Sequence, residues 1–158
     1  MSKQSVYIDT TVVSYLTARP SRDLIVAAHQ QVTTEWWENI LPLLDPFISP
    51  LVIEEASRGD ESAAKERIAK LGTFPVLEVT DEVRNLADRY FGRIQIPEKA
   101  RGDTYHLAAA TYHGMDFLVS WNFTHILNAR VKSAIQEINY LLGITTPAIC
   151  TPEELMEV

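Results

Sequence analysis

The sequence is poor in cysteine and in positive charge, and it has no long hydrophobic run. Its single cysteine, Cys150, excludes an internal disulfide and is typical of a protein of the reducing cytosol. No apolar run approaches the ~18 residues of a membrane span. The opening stretch MSKQSVYIDTTVV lacks the apolar segment of a signal peptide. We therefore expect a soluble, cytoplasmic protein.

The balance of charge limits the functions that remain. Twenty-one acidic residues against fourteen Lys and Arg give a net charge of −7, which excludes a general, non-specific attraction to nucleic acid. It does not exclude a nucleic-acid enzyme in which metal ions and a few local basic residues supply the positive charge. No phosphate-binding glycine motif and no His/Cys spacing typical of zinc is present. IDTT also lacks the second acid of a phosphoaspartyl phosphatase.

The order of the predicted elements indicates the fold class. With 158 residues the chain is expected to form one domain, 1–158. Short strands that are apolar on both sides alternate with helices, which is typical of a parallel sheet covered on both faces. The sequence thus predicts an α/β fold, a three-layer α/β/α sandwich with a short, mainly parallel central sheet. Ligands of such sheets bind at the carboxyl ends of the strands.

Several local predictions are specific enough to be tested. FPVLEV is expected to form a strand, and WNFTHI is expected to turn into a helix. Ser49 before Pro50 is typical of a helix N-cap. The eleven-residue stretch GRIQIPEKARG is expected to form a loop that is long enough to be functional.

Polar side chains follow the predicted strands at equivalent ends. Asp9 follows the first strand, Glu54 and Glu55 lie just after the second, Asp103 opens the helix after the long loop, and Asn122 follows FLVS. Converging carboxylates repel one another and need a cation. Oxygen ligands of this kind suit Mg²⁺ or Mn²⁺, which can activate water and stabilise charge on a phosphoryl oxygen.

Each of these residues also has a purely structural interpretation. Asp9 and Asp103 can cap the helices that they precede, and Asn122 is a common cap residue. Glu54 and Glu55 can be a solvated pair, and at least one of them is expected to be solvated because neighbours on a helix point about 100° apart. The functional interpretation is favoured because all these residues fall at equivalent strand ends.

Four segments in order resemble the PIN domain, and more narrowly the VapC-like toxins of bacterial toxin–antitoxin pairs. They are YIDTTVVSYL, ISPLVIEEASRG, GDTYHLAAAT and DFLVSWNFTHI. The resemblance covers nearly the whole chain. Its second motif has an acid four residues before a glycine, and Gly59 therefore selects Glu55 over Glu54.

The resemblance implies a metal-dependent endoribonuclease that hydrolyses RNA phosphodiesters with water activated by Mg²⁺ or Mn²⁺. It implies that Asp9, Glu55 and Asp103 are metal ligands. It also implies a PIN-like sandwich, a homodimer, and a toxin that is neutralised by a cognate antitoxin encoded beside it.

The fourth motif departs from the most acidic form of the family pattern. Asn122 stands where many members have Asp, so it keeps one oxygen ligand but loses a charge. We predict that it completes the catalytic set directly or through water. Ser120 and His125 flank it and are candidates for orienting water or substrate. Asp116 lies at the start of its strand, and we expect it to be structural at the opposite edge.

Other polar residues lie close to the predicted site in the sequence. The hydroxyls of Thr10 and Thr11 are candidates for hydrogen bonds to an acid or a phosphate. Arg101 and Lys99, just before Asp103, are candidates for contacts with the RNA backbone, or form a solvated basic pair on a loop.

Two other functions fit the same sequence. One is a catalytically weak or degenerate PIN domain that acts as an RNA- or protein-binding module, since Asn122 and the acidic net charge both favour it. The other is a metal-dependent phosphatase on a similar sheet.

Overall fold

The structure of the protein is a computed structural model that describes residues 2–156. The described part contains four strands: β1 Ser5–Ile8, β2 Asp45–Phe47, β3 Phe117–Val119 and β4 Ala148–Cys150. It also contains seven α-helices: α1 Thr10–Thr17, α2 Leu24–Asn39, α3 Pro50–Ala56, α4 Glu61–Leu71, α5 Asp81–Arg93, α6 Arg101–Tyr112 and α7 Ala129–Leu142. Short 3₁₀ turns lie at Leu41–Leu43, Glu98–Ala100 and Glu153–Leu155.

The four strands form one sheet in the order β2-β1-β3-β4, and every pair is parallel. Val6, Tyr7 and Ile8 of β1 are all completely buried, although successive side chains of a strand point to opposite faces. Both faces of the sheet are therefore covered. The predicted α/β/α fold with a parallel central sheet is confirmed.

The helices that cover the sheet form two groups. Helix α1 contacts α2, α3 and α4, whereas α5 contacts α6 and α7. Their apolar faces meet the sheet in one core cluster that includes the fully buried Trp36, Tyr90 and Ile135. Within residues 2–156, every helix is too short or too polar to cross a membrane.

Two local predictions were wrong at the margins of the sheet. The segment FPVLEV, residues 74–79, does not form a strand, because only Val76 bridges in parallel to Ile48. Pro75 has no backbone N–H to donate, so the ladder stops after the bonds Ile48 N to Pro75 O and Leu77 N to Ile48 O. Phe74, Leu77 and Val79 of this segment pack on the core without extending the sheet.

The segment WNFTHI forms a turn and not a helix. The Asn122 carbonyl accepts the backbone N–H groups of Ile126 and Leu127, which closes a single turn. The next helix, α7, begins only at Ala129, where the Asn128 side chain accepts from the backbone N–H groups of Arg130 and Val131.

The register of the sheet brings two polar residues together at its carboxyl edge. Ile8 of β1 pairs with Val119 of β3, so the residues that follow them, Asp9 and Ser120, lie side by side. Backbone pairing continues through them, since Asp9 N donates to Val119 O at 3.1 Å. Asp116 lies at the opposite edge, where it accepts hydrogen bonds from Ser5.

Candidate metal centre at the carboxyl edge of the sheet

Asp9 stands at the N-cap position of α1, but its side chain does not cap the helix. Its Oδ2 atom accepts hydrogen bonds from the hydroxyls of Thr11 at 2.6 Å and Ser120 at 2.7 Å. The residue is only 3% exposed. The alternative interpretation of Asp9 as a simple capping residue is therefore wrong, and its carboxylate is held for contacts across the sheet edge.

The two adjacent glutamates of α3 point to different surroundings. Glu54 is exposed and pairs with Arg58 at 2.8 Å. Glu55 turns inward, where its Oε1 accepts from the Thr10 hydroxyl at 2.5 Å and lies 2.8 Å from the His106 ring. The solvated residue of the pair is thus Glu54.

His106 joins the two acids and was not among the residues predicted from the sequence. Its Nε2 atom lies 2.8 Å from Glu55 Oε1 and 3.4 Å from Asp9 Oδ1. Its Nδ1 atom lies 2.6 Å from the hydroxyl of Tyr7, which in turn lies 2.7 Å from the Ser49 hydroxyl. Ser49 stands at the N-cap position of α3 with Pro50 at the start of the helix, as predicted, but its hydroxyl joins this buried chain of hydrogen bonds instead of capping the helix.

A signal for His106 was present in the sequence. It follows Asp103 by three residues, so the two side chains lie on the same face of α6. Tyr7 precedes Asp9 by two residues on an extended chain and therefore lies on the same side of it. These spacings do not show that the residues meet, because that depends on the tertiary contact between β1 and α6.

The charges of the cluster shift the pKa values of its members in opposite directions. Burial alone would raise the pKa of Glu55, but hydrogen bonds and charge from His106 and a hydrogen bond from Thr10 hold it below its ordinary value. Burial alone would lower the pKa of His106, but the charges of Asp9 and Glu55 raise it above its ordinary value. The two carboxylates thus favour the charged form of His106, and His106 favours the charged form of Glu55.

The donor set fits a divalent cation. One ligand atom from each of Asp9, Glu55 and His106 can be chosen so that all three lie within 4.8 Å of one another. Mg²⁺ binds its ligands at about 2.0–2.1 Å in an octahedron, which places neighbouring ligand atoms about 3.0 Å apart. His106 Nε2 lies 2.8 Å from Glu55 Oε1, which is close to that value, and 3.4 Å from Asp9 Oδ1, which is longer. Two carboxylates and one imidazole are ligands that Mn²⁺ also accepts.

Asp103 lies beside this group of three and not within it. It occupies the first turn of α6, whose N-cap is Ala100, so the capping interpretation of Asp103 is wrong. Its Oδ2 lies 3.1 Å from His125 Nδ1. Burial and the charge of Asp9 raise the pKa of Asp103 above its ordinary value. The added negative charge makes this edge of the sheet more favourable for a cation.

Asn122 is engaged in the turn that follows β3. Its Oδ1 accepts the backbone N–H of His125 at 2.9 Å, and its own N–H donates to the Ser120 hydroxyl at 2.9 Å. Its side chain also helps to lower the pKa of Asp103, against the larger effects of burial and Asp9. The side-chain oxygen of Asn122 thus positions the His125 segment.

The two basic residues just before Asp103 differ in their surroundings. The Arg101 guanidinium contacts Glu98 at 2.9 Å and Asp88 at 3.4 Å, and it stacks over the Phe91 ring at 3.8 Å. Lys99 is exposed on the neighbouring 3₁₀ turn. Arg101 therefore fastens the start of α6 to α5.

Thr11→Val is expected to lower the free energy of unfolding by about 1–3 kcal/mol. The Thr11 hydroxyl donates to Asp9 and accepts the backbone N–H of the buried Trp121 at 2.9 Å, so valine leaves both groups without this partner. Urea unfolding measures the change. Thr11→Ser keeps the hydroxyl and is the matched control, and a valine variant as stable as the serine variant would contradict the prediction.

No protein-family model and no curated protein sequence matches this chain. Among solved structures it is similar to VapC20 of Mycobacterium tuberculosis, a toxin that cleaves the sarcin-ricin loop. The TM-score is 0.59 at 17% sequence identity, and the match covers 75% of this chain and 91% of VapC20. This likeness shows that the chain shares its fold with VapC20.

Proposed function

We propose that the protein is a metal-dependent endoribonuclease of the PIN type, which hydrolyses RNA phosphodiesters. The observation that carries this proposal is the compact group of Asp9, Glu55 and His106 at the carboxyl edge of a parallel sheet. The sequence motifs that resemble the PIN family and the structural likeness to VapC20 support it independently.

Asp9, Glu55 and His106 would hold Mg²⁺ or Mn²⁺, with Asp103 as a further carboxylate beside them. A divalent ion bound there supplies an activated water and offsets negative charge on the phosphoryl group. Thr11 and Ser120 hold one oxygen of Asp9, which leaves the other directed at His106.

The remaining polar groups of the site orient its ligands or substrate. Thr10 holds Glu55, and Tyr7 holds the inner nitrogen of His106. His125, held by Asp103 and by the Asn122 turn, faces the same edge and would orient water or substrate. The protein needs no side-chain nucleophile, and burial raises the pKa of the single thiol, Cys150, to about 12.

We also propose that the protein is the toxin of a toxin–antitoxin pair. It would act as a homodimer in the cytoplasm and be neutralised by a cognate antitoxin encoded by a neighbouring gene. The likeness to VapC20 supports this role. Co-expression with the product of the adjacent gene, followed by co-purification and an RNA-cleavage assay, tests it.

The activity is tested by incubating the purified protein with structured and unstructured RNA in Mg²⁺, Mn²⁺ or EDTA. We expect internal cleavage with either metal and none in EDTA. Metal-dependent hydrolysis of a generic phosphomonoester while RNA stays intact would indicate a phosphatase. RNA binding without cleavage in either metal would indicate a degenerate, binding PIN domain.

A further inference from the structure

A cleft of about 450 Å³ opens beside the acidic site, and the proposed function does not account for it. The end of α5 and the loop after it form one wall, and the turn after β3 with the start of α7 forms the other. Its polar lining consists of Arg93, Gln95, Thr124, His125, Asn128 and Arg130. The volume lies within the ~300–1,000 Å³ of ligand-binding pockets.

The charge of this cleft is opposite to that of the protein as a whole. The net charge of the chain is −7, yet of the described residues that line the cleft none is Asp or Glu, and two are arginines. Arg93 pairs with Glu137 at 2.7 Å. Within residues 2–156, no side-chain acid lies within salt-bridge distance of the exposed Arg130 guanidinium, although Arg130 also lines a neighbouring pocket that contains Glu137.

His125 connects the cleft with the acidic site. Its ring lines the cleft, and its Nδ1 lies 3.1 Å from Asp103 Oδ2. A polyanionic chain with one phosphate at the acids would thus have its neighbouring phosphates along the cleft. Arginine is well suited to such contacts because its planar guanidinium matches phosphate geometry.

We infer that this cleft binds the backbone of single-stranded RNA on one side of the cleavage point, with Arg130 and Arg93 contacting phosphates. The inference rests on the proposed ribonuclease function and adds the surface that holds the substrate. A single strand fits a cleft of this size, whereas a duplex is recognised across a broader surface. Two arginines that line a cleft next to the acids explain how a protein of negative net charge can bind RNA.

The test measures binding of a fluorescent 12-nucleotide single-stranded RNA by anisotropy in EDTA, across a range of salt concentrations. Arg130→Gln and Arg93→Gln are compared with matched controls on the same helices, Lys132→Gln on α7 and Arg84→Gln on α5. Lys132 lines a different cleft, and Arg84 pairs with Asp81 much as Arg93 pairs with Glu137.

Each cleft variant is expected to lower the slope of log K against log salt by about 0.7, because each phosphate contact to a single strand contributes that amount. If a cleft variant and the unaltered protein bind RNA equally well at 1 M salt, this change in slope makes the variant bind roughly eightfold more weakly at 50 mM salt. The double variant is expected to lower the slope by about 1.4, and the controls leave it unchanged. Thermal unfolding and Mn²⁺ titration check that all variants keep the fold and the acidic site.

The outcomes separate this inference from the proposed function. Cleft variants that bind RNA as the controls do would overturn the inference, even if the protein cleaves RNA with Mg²⁺ or Mn²⁺. Absence of RNA binding by the unaltered protein would overturn it as well. Binding that depends on Arg130 and Arg93, in a protein that does not cleave RNA with either metal, would support the cleft and refute the ribonuclease.

Discussion

Asp9→Asn is expected to abolish metal-dependent RNA cleavage and to weaken Mn²⁺ binding by more than about 100-fold. Changing residues that merely orient metal ligands typically costs 10–100-fold in affinity, and Asp9 is a candidate ligand itself. Asparagine keeps an oxygen that can accept from Thr11 and Ser120, so we expect the fold to survive. Isothermal titration with Mn²⁺ and a gel assay of RNA cleavage measure the two effects.

Asp116→Asn is the matched control for this experiment. The substitution is again Asp to Asn beside the same sheet. Asp116, however, lies at the opposite edge, where it accepts hydrogen bonds from Ser5. We expect this variant to cleave RNA and bind Mn²⁺ as the unaltered protein does. Full cleavage activity in a pure preparation of the Asp9 variant would remove Asp9 from the site and refute the proposed metal centre.

The fold could be predicted because its central strands are apolar on both faces. Val6 to Ile8 and Leu118 to Val119 are buried in full, and no alternation of polar and apolar residues marks them as half-exposed. The carboxyl-edge rule then placed Asp9 correctly at the end of β1. Where the chain leaves the sheet, local pattern was not enough, since neither residues 74–79 nor WNFTHI forms the element that its composition favours.

The failures at these two segments have the same physical origin. Residues 74–79 have strand-like composition, but Pro75 and the absence of further pairing beyond Ile48 leave one bridge in the described chain. In WNFTHI the side chain of Asn122 accepts the backbone N–H of His125 as an N-cap does, but the Asn122 carbonyl accepts from both Ile126 and Leu127, and helical bonding ends after that one turn. In both places the backbone hydrogen bonds that are available, and not the composition of the segment, limit the element that forms.

Only the residues of the candidate site that are marked by their spacing along the chain could be predicted from the sequence. Spacing to Gly59 selected Glu55 over Glu54, and Glu55 is the glutamate that faces Asp9 and His106 in the structure. His106 was hidden in an alanine-rich helix, because nothing in a single sequence states that α6 packs beside β1. Its role depends on Tyr7, a residue 99 positions away that looks like an ordinary core aromatic.

His106 has the properties of a metal ligand that is held in one orientation. A proton on Nδ1 that is donated to the Tyr7 hydroxyl leaves Nε2 directed at Asp9 and Glu55. Partners of this kind are general for metal-binding histidines, where they fix the ring and its tautomer. A nitrogen ligand also favours Mn²⁺ over Mg²⁺, which prefers oxygen.

His106→Gln is therefore expected to weaken Mn²⁺ binding by at least about 10–100-fold and to narrow the preference for Mn²⁺ over Mg²⁺. Electron spin echo modulation of bound Mn²⁺ detects a directly bound imidazole nitrogen, and the variant should lose that signal. Tyr7→Phe should keep the signal but lower the affinity, because the ring loses its inner partner. Circular dichroism checks that both variants are folded.

His125→Gln is the matched control, because His125 is the other histidine beside an acid of the site but contacts Asp103 instead of Asp9 or Glu55. We expect it to retain the nitrogen signal and Mn²⁺ affinity. Labelling the unaltered protein with ¹⁵N-histidine tests for a bound imidazole without any variant. If a histidine nitrogen binds Mn²⁺, the electron spin echo modulation must change when ¹⁴N is replaced by ¹⁵N. A nitrogen signal that survives in the His106 variant and vanishes in the His125 variant would place the ion beside Asp103, so that His106 would serve only as the counter-charge of Asp9 and Glu55.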